Sequence, residues 1–218
     1  MSIKRIFGRL TLALAVAGFA AIAHAEVTVA YITNGNTNEG WTLINGGAEA
    51  AAKKAGVKFI KLAAEKGELS KQLAIVEDMI TRKVSAIAIA PVDSAGIAPA
   101  INKALAAGIP VIAVDTGITG AKITSYVATD NIKAAQVQGD WAAGQIKDGD
   151  TVIYVTGDLS QSTGRERKEG FVAGLNAKRK NVKIVEVHSH ERAALQRHRP
   201  GVTTAREHSV AAQHERDR

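Results

Sequence analysis

The chain has 218 residues, 46% of them hydrophobic and only 4% aromatic, with a formal net charge of +7 and no cysteine. That length allows one large or two small domains. The missing cysteine excludes disulfides, thiolate chemistry and Cys-ligated metal. The charge does not point to nucleic acid: residues 1–25 carry three cations and no anion, residues 188–218 carry six Arg against four acids, and the body between them is only +2.

The first 25 residues are a separate object. Lys4, Arg5 and Arg9 make a basic start, residues 10–22 are apolar apart from Thr11, and Ala23-His24-Ala25 is a small-x-small site. This is the layout of a cleaved secretory signal peptide, with Glu26 as the expected new N-terminus. The apolar run of 13 residues falls short of the roughly 20 needed to span a bilayer. A retained membrane anchor is the alternative.

The body then alternates short apolar runs with helical periods. Residues 27–32 read as a buried strand, followed by the polar loop TNGNTNEG at 33–40. Trp41, Ile44, Ala48, Ala51, Ala52 and Ala55 recur at helical spacing, closed by Gly56;. Residues 57–62 are the second strand. Leu69, Leu73, Val76 and Ile80 mark a helix over 70–82. A third strand over 86–90 ends in Pro91-Val92-Asp93-Ser94, and Ile97, Ile101 and Leu105 mark the next helix, stopped by Gly108 and Pro110.

Residues 111–114 are wholly apolar and stop at Asp115-Thr116-Gly117. Such a run fits a strand buried on both faces of a parallel sheet. In open α/β sheets the ligand crevice lies outside the carboxyl ends of the strands. Asp115 is therefore the first candidate for a ligand contact, with loop organisation as its other role. A short strand over 125–128, a helix over 132–146, a strand over 151–155, a helix over 165–177 and a last strand over 182–187 complete the pattern. The βα alternation predicts a doubly wound α/β fold with a parallel sheet.

From residue 189 onward only Leu195, Val202 and Val210 come from the large aliphatic set, and five of the six His lie between His188 and His214. A stretch this poor in apolar residues cannot offset its ordering entropy by burial. Residues 188–218 are read as a disordered Arg/His-rich tail of frameshifted character, with a metal-binding role as the alternative.

Catalysis has little to work with. Apart from His24 in the leader, no His precedes the tail, no Cys exists, and GxSxG, GxxxxGK[ST] and HExxH are all absent;. No catalytic residue, cofactor or metal is expected. A paired-carboxylate site stays open, because Asp93, Asp115 and Asp130 all follow strands. The strand ends instead collect hydrogen-bonding groups: Asn38 and Trp41 after the first strand, Asp93, Asp115 with Thr116, Asp130, then Arg165 and Arg167. Carboxylate, amide and guanidinium groups match the hydroxyls of a polyol, and an indole face suits the apolar side of a sugar ring. Each has a plainer role: Trp41 as core, Asp130 as a helix cap, Arg165-Glu166-Arg167 as a solvated helix start.

With Asn38-Glu39-Gly40-Trp41, residues 109–115, Ala128-Thr129-Asp130-Asn131 and Arg165 to Phe171, the chain resembles the periplasmic sugar-binding proteins of the ribose-binding type, which feed ABC importers. The resemblance covers about residues 27–187. It implies a first lobe at 26–128, nearly complete, and the start of a second, incomplete lobe at 129–187, with a small sugar or polyol between them. It implies that Asn38 and Trp41 supply an amide and a stacking aromatic, that Asp115 and Arg167 grip sugar hydroxyls, and that Asp130 sits at the lobe crossing. It also implies a periplasmic location and an inner-membrane ABC permease as partner, and is compatible with a chemoreceptor. Two departures bear on the ligand: Thr116 stands where ribose-binding members carry Arg, and Gly40 where they carry a second aromatic. A different pentose, a hexose or a sugar alcohol fits as well as ribose. Members run to roughly 300 residues, so the expectation for this chain is weak sugar binding or none. The competing readings are the effector domain of a lac-repressor-type regulator and a secreted α/β hydrolase.

Overall fold

The computed structural model describes residues 26–35 and 39–188. The signal-peptide, Asn38 and tail readings fall outside these residues. Five parallel strands form the larger sheet: β1 (Thr28–Thr33), β2 (Lys58–Ala63), β3 (Ala86–Ile89), β4 (Val111–Val114) and β5 (Ser125–Val127), in the order β2-β1-β3-β4-β5. Helices α1 (Glu39–Ala55), α2 (Leu69–Thr81) and α3 (Ala98–Ala106) make the crossovers. A second, two-stranded parallel sheet pairs β6 (Thr151–Thr156) with β7 (Lys183–His188), accompanied by α4 (Asn131–Gln145) and α5 (Ser162–Lys178). The doubly wound α/β expectation holds.

One link departs from it. β4 and β5 are parallel neighbours, yet residues 115–124 carry no helix between them. The alternation therefore breaks where β5, all three of its residues exposed, leads the chain out of the first sheet.

The core of the larger sheet comes from the runs that the sequence marks as apolar. Ile32, Ile87, Ile89, Ile97, Ile101 and Val111 are fully buried, with Val76 and Met79 of α2. Burying one such side chain stabilises the fold by about 1.5–3 kcal/mol. The stops work as read. Gly56 takes φ 64°, and the pair Gly56 N–H to Lys53 O and Val57 N–H to Ala52 O is a Schellman closure, which needs the left-handed conformation that glycine adopts without strain.

α2 holds one residue that its hydrophobic pattern hides. Gln72 is fully buried. Its Nε2 donates to Ala90 O at 2.9 Å and its Oε1 accepts from Val92 N–H at 2.8 Å. The amide thereby fixes the chain as it leaves β3.

Helices α4 and α5 pack through glycine rather than large side chains. A Cβ on Gly139 would fall 2.2 Å from Phe171 O, on Gly170 2.2 Å from Ile132 O, and on Gly174 2.2 Å from Gln136 O. Contact this close sets the N-terminal half of α4 against the middle of α5 and so positions side chains across the seam. Among the described residues no helix is long and apolar enough to cross a membrane.

Candidate functional site

The strand order reverses between β1 and β3, with β2 on one side of β1 and β3 on the other. A ligand crevice is expected outside the strand ends at such a switch point. A cavity of about 280 Å³ lies there, lined by Asn34, Gly40, Trp41, Ile44 and Asp115 from the first lobe and Gln161, Thr163 and Arg167 from the second. This volume is at the lower edge of the roughly 300–1,000 Å³ that drug-sized ligands occupy, so it suits a small molecule. Two larger hollows lie elsewhere, on α5 and between α4 and α5. Both are mostly apolar.

Asp115 is held in place from several sides. Its backbone has φ 61°, a left-handed conformation that non-glycine residues adopt at a cost of about 1–3 kcal/mol. Its N–H donates to Val127 O at 2.9 Å, and its carbonyl accepts from the Tyr126 hydroxyl at 3.0 Å. The Thr116 hydroxyl donates to Oδ2 at 3.0 Å. Among the described residues Oδ1 makes no hydrogen bond. Strain retained at the mouth of a cavity is the pattern expected of a functional carboxylate.

Two tyrosines sense this carboxylate. Burial, helped by the Asp115 charge, raises the Tyr31 phenol above its usual range. Burial also raises Tyr126, with Glu166 and Asp115 adding to it and hydrogen bonds from Ser162 and Gly117 opposing it. The Tyr31 hydroxyl is buried with no hydrogen-bond partner among the described residues.

Arg167 faces the cavity from the first turns of α5. Its Nε donates to Asn131 Oδ1 at 3.0 Å, and its Nη groups make no hydrogen bond among the described residues. One carboxylate and one guanidinium leave the cavity without net charge. Trp41 and Ile44 give it one apolar wall. Trp41 is half-buried on that wall, so its core role is set aside: α1 turns Asn45 and Ala52 inward instead.

Three predicted residues stand elsewhere. Asp93 is outside the cavity because its Oδ1 accepts from Ala95 and Gly96 N–H at 2.8 and 2.7 Å, an Asx turn. Thr116 is fully buried behind Asp115, so it orients the carboxylate and is not a direct contact. Asp130 caps α4 by accepting from Lys133 N–H at 3.0 Å. With Asp93 and Asp130 engaged on backbone N–H groups, Asp115 is the one carboxylate among the described residues that lines the cavity, and these residues give the paired-carboxylate reading no support. Arg165 also turns away, donating to Leu159 O and Ser160 O at 2.7 and 2.9 Å. The sequence reading did not single out Asn34, Gln161 or Thr163, although it marked the polar loops that carry them.

The two lobes touch directly beside the cavity. Ser162 N–H donates to Ser94 Oγ at 2.8 Å, Gly117 N–H to Ser162 Oγ at 2.8 Å, and Ser94 N–H to Ser160 O at 3.1 Å.

A doubly wound lobe, a chain crossing to a second α/β unit and a polar cavity beside the strand ends make a cleft-type α/β architecture. Residues 29–199 match the periplasmic binding protein domain, and the chain belongs to that family. It is 30% identical over 182 residues to the ribose import binding protein of Escherichia coli, covering 84% of this chain and 61% of that protein. It is 31% identical over 179 residues to the D-ribose/D-allose-binding protein of Pseudomonas aeruginosa, covering 76% and 56%. Among solved structures, an ABC transporter solute-binding protein from Burkholderia graminis in complex with D-arabinose superposes with a TM-score of 0.69 at 27% identity, covering 79% of this chain and 62% of that one. The Caulobacter myo-inositol binding protein bound to myo-inositol gives 0.69 at 26%, covering 76% and 56%. The chain thus spans about three fifths of the length of such relatives.

Proposed function

We propose that the chain captures a neutral monosaccharide or sugar alcohol in the cavity between its lobes, without chemistry, as a solute-binding component serving an ABC importer. The two lobes correspond to residues 26–128 and 129–187, and export to the periplasm is accompanied by cleavage before Glu26. The observation that carries the reading is the meeting of Trp41, Asp115 and Arg167 in one small cavity without net charge. Charged hydrogen-bonding groups match hydroxyls, an indole edge or face matches C–H, and the volume matches one ring. The names of the relatives, which include ribose, allose, arabinose and myo-inositol, support the ligand class. Thr116, buried behind Asp115, and Gly40 in place of a second aromatic leave room for more than ribose.

Calorimetric titration with D-ribose, D-allose, D-arabinose and myo-inositol tests this. Binding of at least one neutral polyol is expected. Asp115→Ala should lower that affinity by roughly 10- to 150-fold, the worth of one charged hydrogen bond of ~1.5–3 kcal/mol. No heat with any polyol at millimolar concentration overturns sugar capture. An unchanged affinity in the variant removes Asp115 from the site. Mass spectrometry of the exported protein should give a mature chain starting at Glu26.

A further inference from the structure

Asn131 is the first residue of α4, directly after the capping Asp130. It is only 4% exposed. A side-chain amide so buried must have both its ends satisfied, and here each end has a distinct duty. Nδ2 donates to Thr129 O at 3.2 Å and to Glu166 Oε2 at 3.1 Å. Oδ1 accepts from Arg167 Nε at 3.0 Å. Only one orientation of the amide fits, because its oxygen must face the guanidinium donor and its nitrogen the two acceptors.

The consequence falls on Arg167. Its guanidinium is planar, with five N–H donors in a fixed fork. Once Nε–H is committed to Asn131, the plane is set and the side edge of the fork is closed to a ligand. The end edge, formed by Nη1 and Nη2, is what remains for the cavity that Arg167 lines. Two parallel donors at that spacing fit two adjacent oxygens. In a cavity whose Asp115 already balances the charge, those oxygens are best supplied by a vicinal diol. Arg167 and Glu166 reach Asn131 because the glycine contacts of Gly170 and Gly139 hold α5 against α4.

We propose that Asn131 is the positioning residue that turns Arg167 end-on for a grip on two adjacent hydroxyls of the ligand. This rests on the sugar-capture reading above, and the two fail separately in the following test. In the ligand-free full chain, the ¹H–¹⁵N resonance of Arg167 Nε–H, assigned by its loss in Arg167→Lys, should be resolved and slow to exchange. It should broaden into the solvent-exchanging set in Asn131→Leu. Should Asn131→Leu not fold, Asn131→Ser removes the amide with less intrusion. A resonance unaltered by these substitutions overturns the proposal whether or not any sugar binds.

The second arm is a double-mutant cycle by calorimetry with D-arabinose or myo-inositol, whichever the wild-type chain binds. Asn131→Leu should weaken binding about 10-fold in the wild-type background and less than about 2-fold in Arg167→Ala. An equal loss in both backgrounds would mean that Asn131 acts on the fold and not through Arg167. If no polyol binds wild type, sugar capture fails, and the resonance arm alone decides the orientation of Arg167.

Discussion

Around the five-stranded sheet, Ile32, Ile87, Ile89, Ile97, Ile101 and Val111 are all fully buried. Around the two-stranded sheet the buried hydrophobic residues are Ala135, Ala143 and Leu175, beside a row of buried glycines, while Val137, Trp141, Ile153 and Val155 are exposed. Ile153 and Val185 are register partners on one face of β6-β7, and both are exposed. The opposite face is covered, as the contact of Tyr154 with Phe171 at 4.9 Å shows. The first lobe is thus held by apolar volume and the described part of the second by close backbone approach. Cohesion by volume degrades in steps as methylenes are removed, whereas a glycine seam tolerates no added atom at all.

Substitutions that act on one lobe and spare the other sharpen this contrast. The largest effect is expected from Ile87→Ala, a core cavity worth about 3–5 kcal/mol. Hydrogen exchange should show protection falling across β1 to β4, with α4 and α5 keeping theirs. Gly170→Ala should be close behind, at about 3 kcal/mol, because its Cβ would meet a carbonyl oxygen at 2.2 Å. Its signature is the reverse: protection lost in α4 and α5 and kept in the larger sheet. A uniform loss in either variant would mean that the lobes are one cooperative unit. Gln72→Leu should cost about 2 kcal/mol, since Ala90 O and Val92 N–H lose their partner. It tests whether one buried polar group outweighs an apolar replacement within an apolar core.

The smallest effect is expected from Tyr31→Phe. Removing a buried hydroxyl with no partner among the described residues should leave stability at pH 7 unchanged or raise it by up to about 1 kcal/mol. The pH dependence has a definite sign. Burial first, then the Asp115 charge, raises the Tyr31 pKa in the folded state. The unfolded chain therefore gives up this proton first, and stability falls as pH rises above about 10. Tyr126 and Tyr154 are raised as well, and burial comes first for both. Urea denaturation between pH 8 and 11 should show an alkaline loss that Tyr31→Phe makes shallower. A steeper loss in the variant would contradict the burial argument.

Sequence periodicity made the strands, most helices and the glycine stops legible, because those follow from local apolar spacing and backbone conformation. Asp115 was legible for a similar reason: it ends an apolar run, although only its Val111 and Ala113 face is fully buried and Ile112 and Val114 are half-buried. Thr116, Asp93 and Asp130 were marked by their position at strand ends, but their roles depend on which backbone N–H or carboxylate lies within 3 Å. No spacing encodes that. Gln72 and Asn131 were the hardest to find. Each is a polar residue on or beside an apolar stripe, and its partners lie as far as 20 and 36 residues away in sequence. The seam left a faint signal in Gly170 and Gly174, four residues apart, which the hydrophobic pattern does not weigh.

The proposed polyol cavity between Trp41, Asp115 and Arg167 carries its own fluorescent reporter. The chain has two tryptophans, and Trp141 stands on the outside of α4 at 69% exposure. Trp141→Phe therefore leaves Trp41 as the sole indole reporter on the cavity wall. Its fluorescence should change saturably on titration with D-arabinose or myo-inositol, and the change should be lost when Asp115→Ala is added. A flat signal with every polyol, or a saturable change that survives Asp115→Ala, would contradict the account.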